Sequence, residues 1–106
     1  MWKTITNYDP RVVCIEYNSI TDNSRDKTVK YDPRNSWSGK DDYYGATLGA
    51  MEKLFAEKKY KLIYISNFTN LFFIKENIAE NLEILEFKRN GRIRDYPPSN
   101  KPWVFV

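Results

Sequence analysis

Residues 16–18, Glu16-Tyr17-Asn18, close an otherwise apolar run, "VVCI", with a carboxylate, a phenol and an amide. Polar groups at the carboxyl end of a sheet strand stand where open α/β sheets present ligands. Further along, Tyr31 and Asp32 occur in "YDP", and Asp42, Tyr43 and Tyr44 follow one another in "DDYYG". Carboxylates beside phenols can hold the hydroxyls of a sugar-like ligand, and Glu16 could act as a general base if burial raised its pKa. Glu16, Tyr17, Asn18, Tyr31, Asp32, Asp42 and Tyr43 are therefore the candidate substrate-binding residues. The plainer alternative, a strand leaving into solvent with local side-chain hydrogen bonds, outweighs it for the chain alone. Ser66, Asn67 and Asn70 are turn residues first and ligand contacts second.

Other chemistries are excluded by what is missing. The sequence has no histidine, so a serine-histidine-acid triad cannot be built and a zinc site is disfavoured. Its single cysteine, Cys14, lies inside the apolar run and reads as a small core residue rather than a reactive thiol. The net charge of +3, from 17 basic and 14 acidic residues, is too weak to name a polyanionic partner. In the tail, "KRNGRIR" with Tyr96 and Trp103 invites a nucleic-acid reading, but a basic edge hairpin that blunts an exposed strand is the better account. No run approaches the roughly twenty apolar residues of a membrane span, and the start has no apolar signal core, so a cytoplasmic location is expected.

The elements that would position these residues follow from periodicity and punctuation. A chain of 106 residues makes one small domain. Residues 1–8 suggest the last turns of a helix, stopped by Asp9-Pro10. Residues 11–17, "RVVCIEY", suggest a strand covered on both faces. A long polar passage follows, with an extended patch at "KTVKYD". Residues 41–60 predict the principal helix, capped by Asp41 or Asp42, striped by Leu48, Met51, Leu54 and Phe55, and ending at Lys58 and Lys59. Gly45 and Gly49 on that helix suggest close packing against the sheet rather than a phosphate loop. "KLIYIS" is a second buried strand, so strand-helix-strand predicts a parallel crossover. "LFFIK" returns as an antiparallel hairpin after the "NFTN" turn, and "ENIAENLEIL" is a short acidic helix. The final "WVFV" needs something to pack on.

Taken in order, "RVVCIEYNS", "TVKYDP", "DYYGATLGAMEKLFAEKKYKLIYIS" and "NLFFIK" resemble the C-terminal half of a Rossmann-like, S-adenosylmethionine-dependent methyltransferase-type family with FkbM-like relatives. The resemblance covers residues 2–75 and leaves a basic, aromatic tail at 86–106. It implies a single α/β domain over 1–106: a small, mostly parallel sheet with a βαβ crossover and a C-terminal antiparallel hairpin, equivalent to half a Rossmann-like methyltransferase domain. It implies that Glu16, Tyr17 and Asn18 face the substrate side. The family's glycine-rich cofactor turn is absent from the sequence, so S-adenosylmethionine is implied by kinship alone and no cofactor is expected for the isolated chain. The expected function is that of a truncated or reduced methyltransferase-like module, not catalytic by itself and self-associating into a homo-oligomer. One alternative is a glycan-modifying enzyme whose site is shared across a dimer through Glu16, Tyr17 and Asp42. Another is a small basic nucleic-acid-binding module.

Overall fold

A computed structural model describes residues 9–34, 36–67, 69–87, 89 and 96–106. Strand β1 (Val12–Glu16) is followed by β2 (Lys27–Val29), helix α1 (Leu48–Glu57), β3 (Tyr60–Ser66), β4 (Asn70–Lys75), α2 (Glu76–Ala79) and β5 (Trp103–Phe105). The strands form two sheets: β1-β4-β3 and the ribbon β2-β5. Every pairing is antiparallel.

The mostly parallel, half-Rossmann sheet expected from the sequence is therefore not what forms. The reason lies in β4. Its Leu71, Phe73 and Ile74 are all buried, which makes it the most apolar strand on both faces and gives it the central place. The chain turns back at Asn67, in the left-handed region at φ 53°, and lays β4 against β3. The outer edge of β4 then takes β1, with Cys14 opposite Phe72. Both flanking strands oppose β4, so β1 and β3 run the same way and are joined through α1, but they never touch.

The core lies between α1 and one face of this sheet. Phe55 and Phe73 stack at 3.9 Å with planes 7° apart, and Tyr60 meets Phe55 edge-on at 6.0 Å. Leu48, Leu62, Ile65, Leu71 and Tyr17 close around them. Face alternation fixes this set, since Val13, Ile15 and Tyr17 point to α1 while Val12 and Cys14 point away. Cys14 is thus exposed, not a core residue, and among the described residues β1 is an edge strand with Val12 and Cys14 exposed on its second face.

Other elements also differ from expectation. The helix begins at Leu48, not at Asp41 or Asp42, because Asn23 Oδ1 accepts the Leu48 N–H from a distant loop at 2.9 Å. Gly45 precedes the helix at φ 58°, and Gly49 makes room for a carboxylate rather than for the sheet: a Cβ there would lie 1.9 Å from Asp26 Oδ1. The acidic helix shortens to Glu76–Ala79. The "WVFV" tail finds its partner in the "KTV" patch, with Thr28 opposite Val104. The expected helix over residues 1–8 and the hairpin at Asn90-Gly91 lie outside the described residues. Among the described residues, no helix is long and apolar enough to cross a membrane.

Candidate functional site

The chain leaving β1 does not run into solvent. Tyr17, Asn18, Ser19, Ile20 and Thr21 are all buried. Asn18 organises them. Its Nδ2 donates to the carbonyls of Asp42 at 2.7 Å and Tyr44 at 2.8 Å, and its Oδ1 accepts the N–H groups of Ile20 and Thr21, each at 3.0 Å. Every hydrogen-bonding position of the amide is thus used on backbone, which makes Asn18 a clamp between two loops and not a ligand contact.

Asp42 is bound up in the same way. Its Oδ2 accepts Thr21 Oγ1 at 2.7 Å and its Oδ1 accepts the Ser99 N–H at 2.8 Å, which ties the C-terminal segment to the 41–44 turn. Tyr43 accepts the Lys30 N–H at 3.1 Å and donates to the Pro102 carbonyl at 2.7 Å. Tyr31 is exposed and Asp32 pairs with Arg34 at 3.6 Å; these two share a small hollow of about 210 Å³ with Tyr43. Glu16 is exposed and lines a different hollow, of about 230 Å³. Ser66 and Asn70 pair to close the β3-β4 hairpin around Asn67.

Of the predicted set, Tyr17 alone opens onto a cleft of about 560 Å³ between the loop after β1 and the start of α1. That volume is in the usual range for small-ligand sites. Ser19, Asp22, Asn23, Asp26, Glu52 and Arg89 are among the residues of its walls. Glu16, Tyr17 and Asp42, expected to converge on one ligand, instead border separate hollows. The separation follows from strand alternation, which sends Glu16 and Tyr17 to opposite faces, and from the capture of Asp42 by Thr21.

The cleft's charges are largely satisfied within the protein. Asp26 meets Lys53 at 2.8 Å, Glu52 pairs with Arg89, and Asp22 accepts the Ser24 N–H and hydroxyl, both at 2.9 Å. Burial pushes the Tyr17 phenol above its ordinary range, with the nearby Arg89 acting in the opposite sense, so the phenol stays protonated. Ser19 is different. Its hydroxyl is buried and has no hydrogen-bond partner among the described residues. Buried hydroxyls are rarely left so, and each costs about 1–3 kcal/mol.

Ser19, Asn23, Asp26, Gly49 and Arg89 were not among the sequence candidates. Ser19 directly follows the polar strand end, and "SITDN" is dense in side chains that bond their own backbone, which is a turn signal more than a site signal. Nothing local in the sequence joins Gly49 to Asp26, since their contact spans 23 residues through tertiary packing. Among the described residues no group of His, Cys, Asp or Glu is arranged to hold a metal ion. Compared with protein-family models, curated proteins and solved structures, the chain matches none.

Proposed function

We propose that the chain is a ligand-binding module, not a self-sufficient catalyst, and that it takes a neutral, hydroxyl-rich group such as a pyranose ring into the cleft beside Tyr17. The observation that carries this is the buried, partnerless hydroxyl of Ser19, a residue that lines a cleft whose charged groups already have protein partners. A hydroxyl both donates and accepts, as a sugar hydroxyl does, so a neutral polyol relieves Ser19 without breaking an ion pair. A cation would have to displace Lys53 or Arg89, and an anion Asp26 or Glu52, from these ion pairs. Against acid–base chemistry stands the engagement of Asp42 with Thr21 and Ser99.

Amide-resolved NMR titration with glucose, galactose and N-acetylglucosamine tests the proposal. With Kd on the order of 1 mM, the amides of Ser19, Asn23 and Gly49 shift together and saturate, and Ser19→Ala weakens binding. Shifts confined to other surfaces, or none, overturn it.

The methyltransferase-type resemblance of the sequence supplies a second reading of function, separate from the half-Rossmann fold, which the antiparallel sheets replace. On that reading the isolated chain does not bind S-adenosylmethionine, because its sequence lacks the glycine-rich turn, and it self-associates through the open sheet face carrying Val12 and Tyr64. Titration calorimetry with S-adenosylmethionine showing micromolar binding would overturn the first part. Sedimentation equilibrium showing a monomer at high concentration would overturn the second.

A further inference from the structure

On the other side of the loop that carries Ser19 lies the hollow of about 230 Å³ lined by Glu16, Ser19, Trp37, Tyr44 and Tyr96 among others. Three of its seven lining residues are aromatic. The Trp37 ring sits 4.9 Å from Tyr44 with planes 49° apart, and 5.5 Å from Tyr96 with planes 69° apart. Trp37 is tilted against Tyr44 and meets Tyr96 edge to face, so the three rings form a contiguous cluster and not a stack. Trp37 is anchored, its indole N–H donating to the Asp41 carbonyl at 2.8 Å. Trp37 is nonetheless 43% exposed, which an indole with a purely structural role in a small core would avoid.

The hollow also carries a negative charge. Glu16 is exposed, and no lysine or arginine among the described residues forms an ion pair with it. It lies close enough to Tyr44 to oppose ionisation of that phenol, adding to the larger effect of burial. Aromatic faces are electron-rich and a carboxylate beside them is attractive to cations, yet a lysine-type ammonium is strongly hydrated and resists entering a ring-lined site. A methylated ammonium carries the same charge with an apolar surface.

We infer that Trp37, Tyr44 and Tyr96, with Glu16 at the rim, form a cage for a fully methylated ammonium group. The hollow is smaller than a whole-ligand pocket and matches the head of a ligand whose remainder stays outside. It is separate from the cleft beside Tyr17, and Ser19 stands in the wall between the two.

Tetramethylammonium chloride is the probe, titrated into the full chain while the indole N–H signal of Trp37 is followed by NMR. Ammonium chloride at equal ionic strength controls for salt, and 3,3-dimethylbutan-1-ol supplies a neutral tert-butyl group of similar shape. The inference expects a saturable shift of the Trp37 indole with tetramethylammonium at least about tenfold tighter than with the alcohol. Trp37→Leu, followed through the backbone amide of Tyr44, abolishes the response, and Glu16→Gln, at an exposed position, weakens it about two- to fivefold. Equal affinity for the alcohol and the cation, or unchanged binding in Glu16→Gln, overturns the inference. So does a shift that ammonium chloride reproduces. Should Trp37→Leu disturb the fold, seen as displaced amides of Phe55 and Phe73, the alcohol comparison and Glu16→Gln decide alone.

Discussion

Replacing Asn18 by alanine removes four hydrogen bonds at once from a side chain with no solvent exposure. The carbonyls of Asp42 and Tyr44 and the amides of Ile20 and Thr21 lose their partner together. At about 1 kcal/mol net for each bond, the loss is about 4 kcal/mol. Water entering from the neighbouring cleft offsets part of it, and the space left by the missing amide adds to it, so about 3–5 kcal/mol is expected. Against a total of about 5–15 kcal/mol for a domain, that is a severe lesion. Asn18→Asp sharpens the test. It keeps the shape and the acceptor but turns an oxygen toward two carbonyls that now sit at 2.7 and 2.8 Å from a donor. It should be at least as destabilising at neutral pH and recover in part when the carboxyl is protonated. Urea unfolding followed by tryptophan fluorescence and far-ultraviolet circular dichroism measures both, with an unchanged slope confirming that the unfolded state is the same. A loss under about 1 kcal/mol for Asn18→Ala would refute the clamp and return Asn18 to the list of ligand contacts.

Gly49→Ala should fail to give the usual helix gain of about 1 kcal/mol, because its Cβ would lie 1.9 Å from Asp26 Oδ1. In an Asp26→Ala background the same substitution should stabilise, and a double-mutant cycle showing no coupling would contradict the contact. Tyr17 and Tyr44 are both raised chiefly by burial, so folding favours their neutral forms. Their contribution is fully present below the ordinary tyrosine pKa of about 10 and is lost as pH rises through the higher folded values. Urea midpoints measured from pH 8 to 12 should therefore fall steeply at the alkaline end, and less steeply in Tyr17→Phe. Cys14 should react with a thiol reagent in the native state as fast as in urea, since it is exposed on the open sheet face; a slow, unfolding-limited reaction would place it in a core.

The strands and the principal helix were legible because their signals are local. "KLIYIS" and "LFFIK" carry β-branched and aromatic runs between turn residues, and Leu48, Met51 and Phe55 repeat at helical spacing. Strand order was not legible. A strand-helix-strand unit predicts strands that run the same way, which β1 and β3 do, but only tertiary competition decides that β4 is inserted between them. Cys14 was misplaced for the same reason, since an apolar run does not say which of its faces is covered. The helix start was misplaced because Asp41 and Asp42 look like caps, whereas the first helical amide is capped from Asn23, 25 residues earlier. Of the candidate site, the sequence shows the polar end of β1 but not the roles: Asn18 is consumed by backbone, Asp42 by the Thr21 hydroxyl and the Ser99 amide, and the partnerless hydroxyl is that of Ser19.

The most direct test of the ligand-binding account is a crystal structure after soaking in a concentrated pyranose. It should show a sugar ring in the cleft with one hydroxyl within hydrogen-bonding distance of Ser19 Oγ and the Asp26–Lys53 and Glu52–Arg89 pairs unbroken. A cleft holding no sugar, with the Ser19 hydroxyl turned to a backbone carbonyl of its own chain, would contradict it.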